Sequence, residues 1–324
     1  ISIGPPFGYE LCLQRLREND IKKFDLSAWR MAGVGAETIR PEPLLEFAKI
    51  LEPCGFNKEA FCACYGMAEC SLAVSFAPLY TGLTIDFVNG DYLSDERRAL
   101  PVNADAPQST VRSSRFVNCG IPLPEYEVEI RDAHGCRLPE RHVGTIYVKA
   151  ASLMSGYFGD IKLTREVLSA DGWFNTGDLG YLVKDSLFIT GREKDMIIIN
   201  GRNIWPQDLE FAAEQQPEVR TGDASAFSIP GPDGKEKSVM MVQCRVASDP
   251  RRAELRERIQ RLIHQELGIE CFIHLVPRNT LPRTTSGKLS RSKARKEFLR
   301  HMGAECFEGG GSALFAKYEN KKAV

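Results

Sequence analysis

The feature that most constrains this chain is a hydrophobic rhythm that changes twice within its 324 residues. From residue 8 to about 78, helical stretches alternate with short apolar runs: Tyr9 to Arg17 helical, Ala28 to Gly33 strand-like, Glu42 to Leu51 helical, Ala60 to Cys64 strand-like. That alternation predicts an α/β layer built on a parallel sheet. Residues 79–118 lose the periodicity and read as an insertion or long connection. Between 119 and 190 the period becomes two, in Glu125 to Arg131, Gly144 to Lys149 and Ser186 to Thr190, which predicts a small β-barrel-like subdomain. After Gly191 the order is strand 196–199, helix from Pro206, strands near 223–229 and 238–246, helix 250–267, strand 271–276, a glycine-containing loop and a basic final helix. This predicts a compact α+β domain of about 100 residues.

The expected organisation is therefore 1–118 (α/β, with the insertion at about 79–118), 119–190 (β-barrel-like, same domain) and 191–324 (α+β). The tail after 301 is weakly patterned, and Gly309-Gly310-Gly311 reads as linker. The chain opens at Ile1 on a strand or turn leading into a helix, and is expected to begin within a domain.

Composition narrows the functional classes. With 43% apolar and 26% charged residues, the chain can bury a core, and two or more compact units are expected. A formal charge of −1 does not supply the basic surface of a nucleic-acid protein, so no nucleic-acid partner is expected. No apolar run approaches the roughly 20 residues that span a bilayer, no signal peptide is evident, and a cytoplasmic location is expected. The 10 cysteines include no CxxC pair and the 5 histidines do not cluster, so reduced thiols are expected rather than zinc ligands.

Four short motifs carry chemistry. Tyr65-Gly66-Met67-Ala68-Glu69 follows a strand. Its tyrosine could lie on a purine, its glycine could let backbone approach phosphate, and its carboxylate could hold Mg²⁺; a strand-end turn with a solvated glutamate is the alternative. In Gly172-Trp173-Phe174-Asn175-Thr176-Gly177-Asp178-Leu179-Gly180, the Asp178 carboxylate offers two oxygens to a vicinal diol, or it stabilises a turn. Gly191-Arg192-Glu193-Lys194-Asp195 is a charged turn joining two units, and Pro206 is placed to start the helix that follows. Pro282-Arg283-Thr284-Thr285-Ser286-Gly287-Lys288-Leu289-Ser290-Arg291 presents Lys288 as a point charge suited to a carboxylate and an α-phosphate, or simply as a surface lysine.

In this order the four resemble the motifs of the adenylate-forming superfamily of acyl-CoA synthetases, luciferases and adenylation domains, over the chain to about residue 300. The segments Gly35-Ala36-Glu37-Thr38-Ile39-Arg40-Pro41, Gly4-Pro5-Pro6-Phe7-Gly8-Tyr9 and Asp195 to Glu210 look like the fatty acyl-AMP ligase branch. The resemblance implies that ATP and a fatty acid form acyl-AMP and pyrophosphate, and that the acyl group passes to the phosphopantetheine thiol of an acyl carrier protein or a synthase carrier domain. By the same resemblance Tyr65 would stack on adenine, and Gly35, Ala36 and Glu37 would line its pocket beside Gly66, Met67 and Ala68. Glu69 would ligate Mg²⁺, Asp178 would hold ribose, Arg192 would meet ribose or phosphate, and Lys288 would stabilise the adenylation transition state. Lys194 would be the hinge of a mobile C-terminal domain, and the 79–118 segment would disfavour coenzyme A. Phe7, Tyr9 and Trp29 are candidates for an acyl tunnel.

One departure is that the superfamily's Ser/Thr/Gly-rich phosphate loop is not found among these residues, so the chain by itself is expected to adenylate poorly. Two other readings stay open: an acyl-CoA synthetase on the same scaffold, and a non-catalytic adenylate- or acyl-binding domain.

Overall fold

A computed structural model describes residues 1–103, 112–231, 234–284 and 287–302. Cys306, the Gly309 to Gly311 linker, part of the 79–118 insertion, and Thr285 and Ser286 lie outside the described residues. The chain forms two compact units, Ile1–Lys194 and Asp195–Val324.

The first unit opens with β1 (Ser2–Gly4), α1 (Pro6–Arg15), α2 (Glu18–Ile21), β2 (Ala32–Val34), α3 (Pro41–Leu51), β3 (Phe61–Gly66) and β4 (Ala73–Phe76). Helix α3 shows why the sequence folds this way. Pro41 starts it, Glu42 sits in the first turn and Lys49 in the last, favouring the helix dipole at both ends. Leu44, Phe47, Ala48 and Leu51 fall on one face and are all buried. Strands β1, β2 and β3 are parallel, with Ser2 beside Ala32 and Ala32 beside Phe61. The next strand, β4, is antiparallel to β3, so the sheet is mixed.

Tyr9 and Trp29 both pack against Phe47. Tyr9 packs edge-on to Phe47 and Phe61, and Trp29 edge-on to Phe47 and Phe56, in one aromatic core. The Tyr9 hydroxyl donates to the Gly33 carbonyl at 2.9 Å, anchoring α1 to β2. Phe7 is exposed.

The stretch expected to be irregular contains regular structure. Strands β5 (Ile85–Asn89) and β6 (Ser113–Val117) pair antiparallel, with α4 (Gly90–Glu96) following β5. The Asn89 side chain caps α4 by accepting from the Asp91 and Tyr92 amides. Apart from Val88, Phe116 and Val117, the side chains of these strands are only half-buried or exposed, so the period-two signal is faint.

Strand β7 (Ile121–Pro122) then joins the edge of the first sheet beside β4. Strands β8 (Glu127–Arg131) and β9 (Gly144–Lys149), helix α5 (Ile161–Val167), and strands β10 (Phe174–Val183) and β11 (Ser186–Arg192) complete the unit. The four strands form an open antiparallel sheet in the order β11-β10-β9-β8; among the described residues it does not close into a barrel.

The second unit contains β12 (Ile197–Ile199), β13 (Arg202–Ile204), α6 (Pro206–Glu214), β14 (Ala224–Pro230), β15 (Glu236–Gln243), α7 (Asp249–Leu267), β16 (Cys271–Val276) and α8 (Arg291–Met302). Alternation decides its layering. Ala224, Ala226, Met240, Val242, Ile273 and Leu275 share a core with Leu209 of α6 and Leu255, Ile259 and Ile263 of α7. The intervening Phe227, Ile229, Val239 and Met241 face Ala294 and Phe298 of α8. A sheet apolar on both faces needs a helix layer on each.

The cysteines described are free thiols. Burial pushes Cys64 up to about 11 and Cys119 and Cys271 up to about 12, whereas Cys12 and Cys136 are exposed. Because the thiolate is the reactive form, these three are expected to alkylate at least about 10²-fold more slowly than Cys12 and Cys136 at pH 8. Iodoacetamide labelling mapped by mass spectrometry checks the ranking.

Candidate nucleotide site

Parallel strands place two of the motifs side by side. Residues Gly35, Ala36 and Glu37 follow the carboxyl end of β2, and Tyr65 and Gly66 end the adjacent β3, so both segments lie at the same edge of the sheet. In open α/β sheets, ligands bind at the carboxyl ends of the strands. Ala36 holds a left-handed backbone (φ 67°), which turns the chain sharply there.

A Cβ on Gly66 would lie 2.8 Å from the Ala73 Cα and closer still to the Leu72 carbonyl oxygen. The β3–β4 crossing therefore requires this glycine whether or not phosphate approaches. Met67 extends the backbone into a single 3₁₀ turn, Ala68–Cys70, which presents Glu69.

The second and third motifs meet across a hairpin. Asp178 does not stabilise a turn; it sits inside β10, opposite Arg192 of β11. Register shifts between Asn175 and Leu179 and between Leu179 and Gly180 keep the strand continuous through the glycines. The Asp178 amide donates to Thr176 Oγ1 at 3.0 Å, and that hydroxyl donates to the Ile146 carbonyl at 2.8 Å, fixing the bulge to β9. Arg192 Nε then donates to Asp178 Oδ1 at 2.8 Å.

Tyr65 comes to the same carboxylate from the other sheet, its hydroxyl donating to Asp178 Oδ2 at 2.7 Å. Tyr65, Asp178 and Arg192 are thus brought together from three separate motifs. Tyr65 is 8% and Asp178 8% exposed, while the Arg192 side chain is 66% exposed. Burial, and then the adjacent Asp178 carboxylate, raise the Tyr65 hydroxyl well above its ordinary range, so it remains a donor. Removing it leaves a buried carboxylate oxygen short of a partner. A Tyr65→Phe variant is expected to lose about 1–3 kcal/mol of stability, measured by urea unfolding of this chain.

The structure adds a residue that the sequence did not flag. The Tyr157 hydroxyl donates to Glu69 Oε1 at 2.8 Å, and the Met154 amide donates to the Glu69 carbonyl at 2.8 Å. Burial first, then the hydrogen bond to Glu69, push Tyr157 up to about 12, with Arg192 close enough to oppose the shift. Tyr157 lies in a non-periodic stretch, Met154-Ser155-Gly156-Tyr157, which gave no signal beyond a tyrosine after a glycine.

Lys194 is the last residue of the first unit, in the 3₁₀ turn Glu193–Asp195. Lys288 belongs to the second unit, next to an antiparallel bridge between Arg283 and Leu289. Its amide donates to Thr284 Oγ1 at 3.2 Å and its carbonyl accepts from the Thr284 amide at 2.8 Å, so the backbone carrying this lysine is fixed within its unit.

Residues 1–158 match the family described as AMP-binding enzyme. The first half of the chain is thus an AMP-binding family domain. Its mixed α/β architecture is that of adenylation domains. A solved structure from work on fatty acyl-adenylate ligases of E. coli and L. pneumophila superposes with a TM-score of 0.86 at 44% identity, covering 93% of this chain and 53% of that one. A putative acyl-CoA synthetase of Caulobacter vibrioides is 45% identical over 300 residues, 92% of this chain and 52% of that protein. The medium-chain-fatty-acid–[acyl-carrier-protein] ligase JamA of Moorena producens is 34% identical over 92% of this chain and 52% of its own length. The chain spans about half the length of the relatives it matches. Among its described residues no helix is long and apolar enough to cross a membrane.

Proposed function

We propose that the protein carrying this chain is a fatty acyl-AMP ligase. It activates a fatty acid with ATP to acyl-AMP, releases pyrophosphate, and passes the acyl group to the phosphopantetheine thiol of an acyl carrier protein or a synthase carrier domain. The observation that carries the reading is the Asp178 carboxylate, held at one oxygen by Tyr65 and at the other by Arg192. Each carboxylate oxygen accepts more than one hydrogen bond, so Asp178, already oriented, can also take the two hydroxyls of a ribose. Gly35, Ala36 and Glu37, with Tyr65, Gly66, Met67 and Ala68, are the proposed adenine-side residues. Arg192, exposed beyond Asp178, is the proposed phosphate or ribose contact.

The reaction joins a fatty-acid carboxylate oxygen to the α-phosphorus as the bond to pyrophosphate breaks. Lys288 is proposed to offset the negative charge gathering there. Mg²⁺ on a nucleotide keeps phosphate and water ligands and needs few protein carboxylates, and Glu69 is the proposed one. Mg²⁺ bound in that way would neutralise phosphate charge. Tyr157 occupies one Glu69 oxygen, leaving Oε2 as the oxygen to face it. Lys194 is the proposed hinge between half-reactions; in support, the two units divide immediately after it.

A second reading, an acyl-CoA synthetase, draws support from the similarity to the Caulobacter vibrioides protein. The deciding experiment measures fatty-acid-dependent ATP–pyrophosphate exchange in the gene product that carries this chain, then offers the acyl-AMP to holo-acyl carrier protein or to coenzyme A. Preference for coenzyme A would replace the carrier reading with the second one. Absence of exchange would reject both.

A further inference from the structure

The loop carrying Lys288 is tied down at both ends. At the start, Arg283 Nη1 donates to the Gly287 carbonyl and Nη2 to the Gly222 carbonyl, each at 2.9 Å. The Ser290 amide donates to the Pro282 carbonyl at 3.0 Å and closes the base. One residue later α8 begins at Arg291, and this side chain does something the assigned roles do not use. Its Nε and Nη2 grip the two oxygens of Glu210 in α6, each at 2.7 Å, while Nη1 donates to Asp195 Oδ2 at 2.8 Å.

Glu210 is buried, and its Oε1 also accepts from the Ala226 amide of β14 at 3.0 Å, so the forked pair is anchored to α6 and the sheet. Asp195 is the first residue of the second unit, directly after Lys194. One guanidinium therefore connects three places: the end of the Lys288 loop, the core of the unit, and the residue next to the division between units. Burial by itself would lower the Arg291 pKa; the neighbouring Glu210 and Asp195 carboxylates raise it instead, so the link stays charged.

We infer that Arg291 is a positioning residue for Lys288, setting the loop's place against the backbone at Asp195. The inference rests on Lys288 as the adenylation lysine. Lysine at 291 keeps the charge but cannot make a planar fork to Glu210 and reach Asp195 as well. Asp195→Asn takes the charge from only the third contact, weakening it, and leaves the Glu210 fork intact.

Two measurements test the inference. In this chain, Arg291→Lys is expected to speed amide hydrogen exchange at Thr284, Gly287, Lys288 and Ser290 by about 10-fold, with β14 to β16 unchanged. In the gene product, Arg291→Lys is expected to lower kcat for ATP–pyrophosphate exchange by about 10-fold, with KM for ATP and fatty acid held within about twofold. Acyl transfer from supplied acyl-AMP is expected to stay within about twofold, and Asp195→Asn to show the same partition more weakly. Equal loss in both half-reactions, or unchanged loop exchange, would overturn the positioning role. A parallel Lys288→Ala variant separates the two layers: if it leaves exchange intact, the Lys288 reading itself fails. If it abolishes exchange while Arg291→Lys does not slow it, only this inference fails.

Discussion

Replacing Lys288 by alanine is expected to slow fatty-acid-dependent ATP–pyrophosphate exchange by about 10²–10³, or about 3–4 kcal/mol of transition-state stabilisation. The loss should fall on kcat, because a charge that meets phosphate and carboxylate oxygens as they converge acts more strongly in the transition state than on either reactant. The fold should tolerate the change. Hydrogen bonds that shape the loop run through the Lys288 amide and carbonyl, which alanine keeps. Lys288→Arg should restore only part of the rate, since a planar fork does not replace a compact charge at the same point. Transfer from supplied acyl-AMP no longer expels pyrophosphate, and is expected to be retained. A fall of both half-reactions by the same factor would remove Lys288 from the chemistry.

The nucleotide edge requires different physics. Asp178 is almost closed off from water, and a buried carboxylate is costly unless its oxygens are satisfied. Tyr65 and Arg192 meet that cost and also fix the carboxylate's direction. The two donors differ: the tyrosine is buried, whereas most of the arginine side chain is open. Arg192 can therefore shift toward a phosphate without uncovering the core, and Tyr65 cannot. That asymmetry fits the roles proposed for them, orientation of Asp178 by Tyr65 and a phosphate contact by Arg192.

How much of this could be read from residues alone depended on how far each signal reached along the chain. Helix α3 was legible because Leu44, Phe47, Ala48 and Leu51 repeat within one helical period set. Strand β9, Gly144–Lys149, was legible to its ends because glycine and a charged residue bracket alternating apolar positions. Asp178 was found as a candidate but placed in a turn: Gly177 and Gly180 signal breaks locally, and only pairing with β9 and β11 shows that bulges absorb them. The Tyr65–Asp178 contact spans 113 positions and depends on two sheets meeting, so no spacing rule reaches it. Tyr157 was silent for the same reason. The β5–β6 pair escaped because its half-exposed strands barely alternate.

The place where those two sheets meet gives the largest expected effect on stability. Gly120 has a left-handed backbone (φ 80°), and a Cβ there would overlap the Phe76 carbonyl and the Ala77 nitrogen. Neither obstacle is a side chain that could swing aside; one is the last residue of β4 and the other follows it directly. On the other side, the Cys119 amide donates to the Leu187 carbonyl and the Leu187 amide to the Gly120 carbonyl, both at 2.8 Å, pinning the same residue to β11. Gly135 offers an internal control, since it has the same φ of 80° with nothing within 4 Å of its would-be Cβ. Gly135→Ala should therefore report the backbone cost alone, about 1 kcal/mol. Gly120→Ala should add about 1–3 kcal/mol of steric overlap to that cost. Urea unfolding of the two variants measures the difference, and equal losses would mean that the junction can open without penalty. To relieve the overlap β11 moves away from β4, and the displacement reaches Arg192 at the end of that strand. Weaker AMP binding by Gly120→Ala, but not by Gly135→Ala, under conditions where both remain folded would then connect the sheet junction to the Asp178 site.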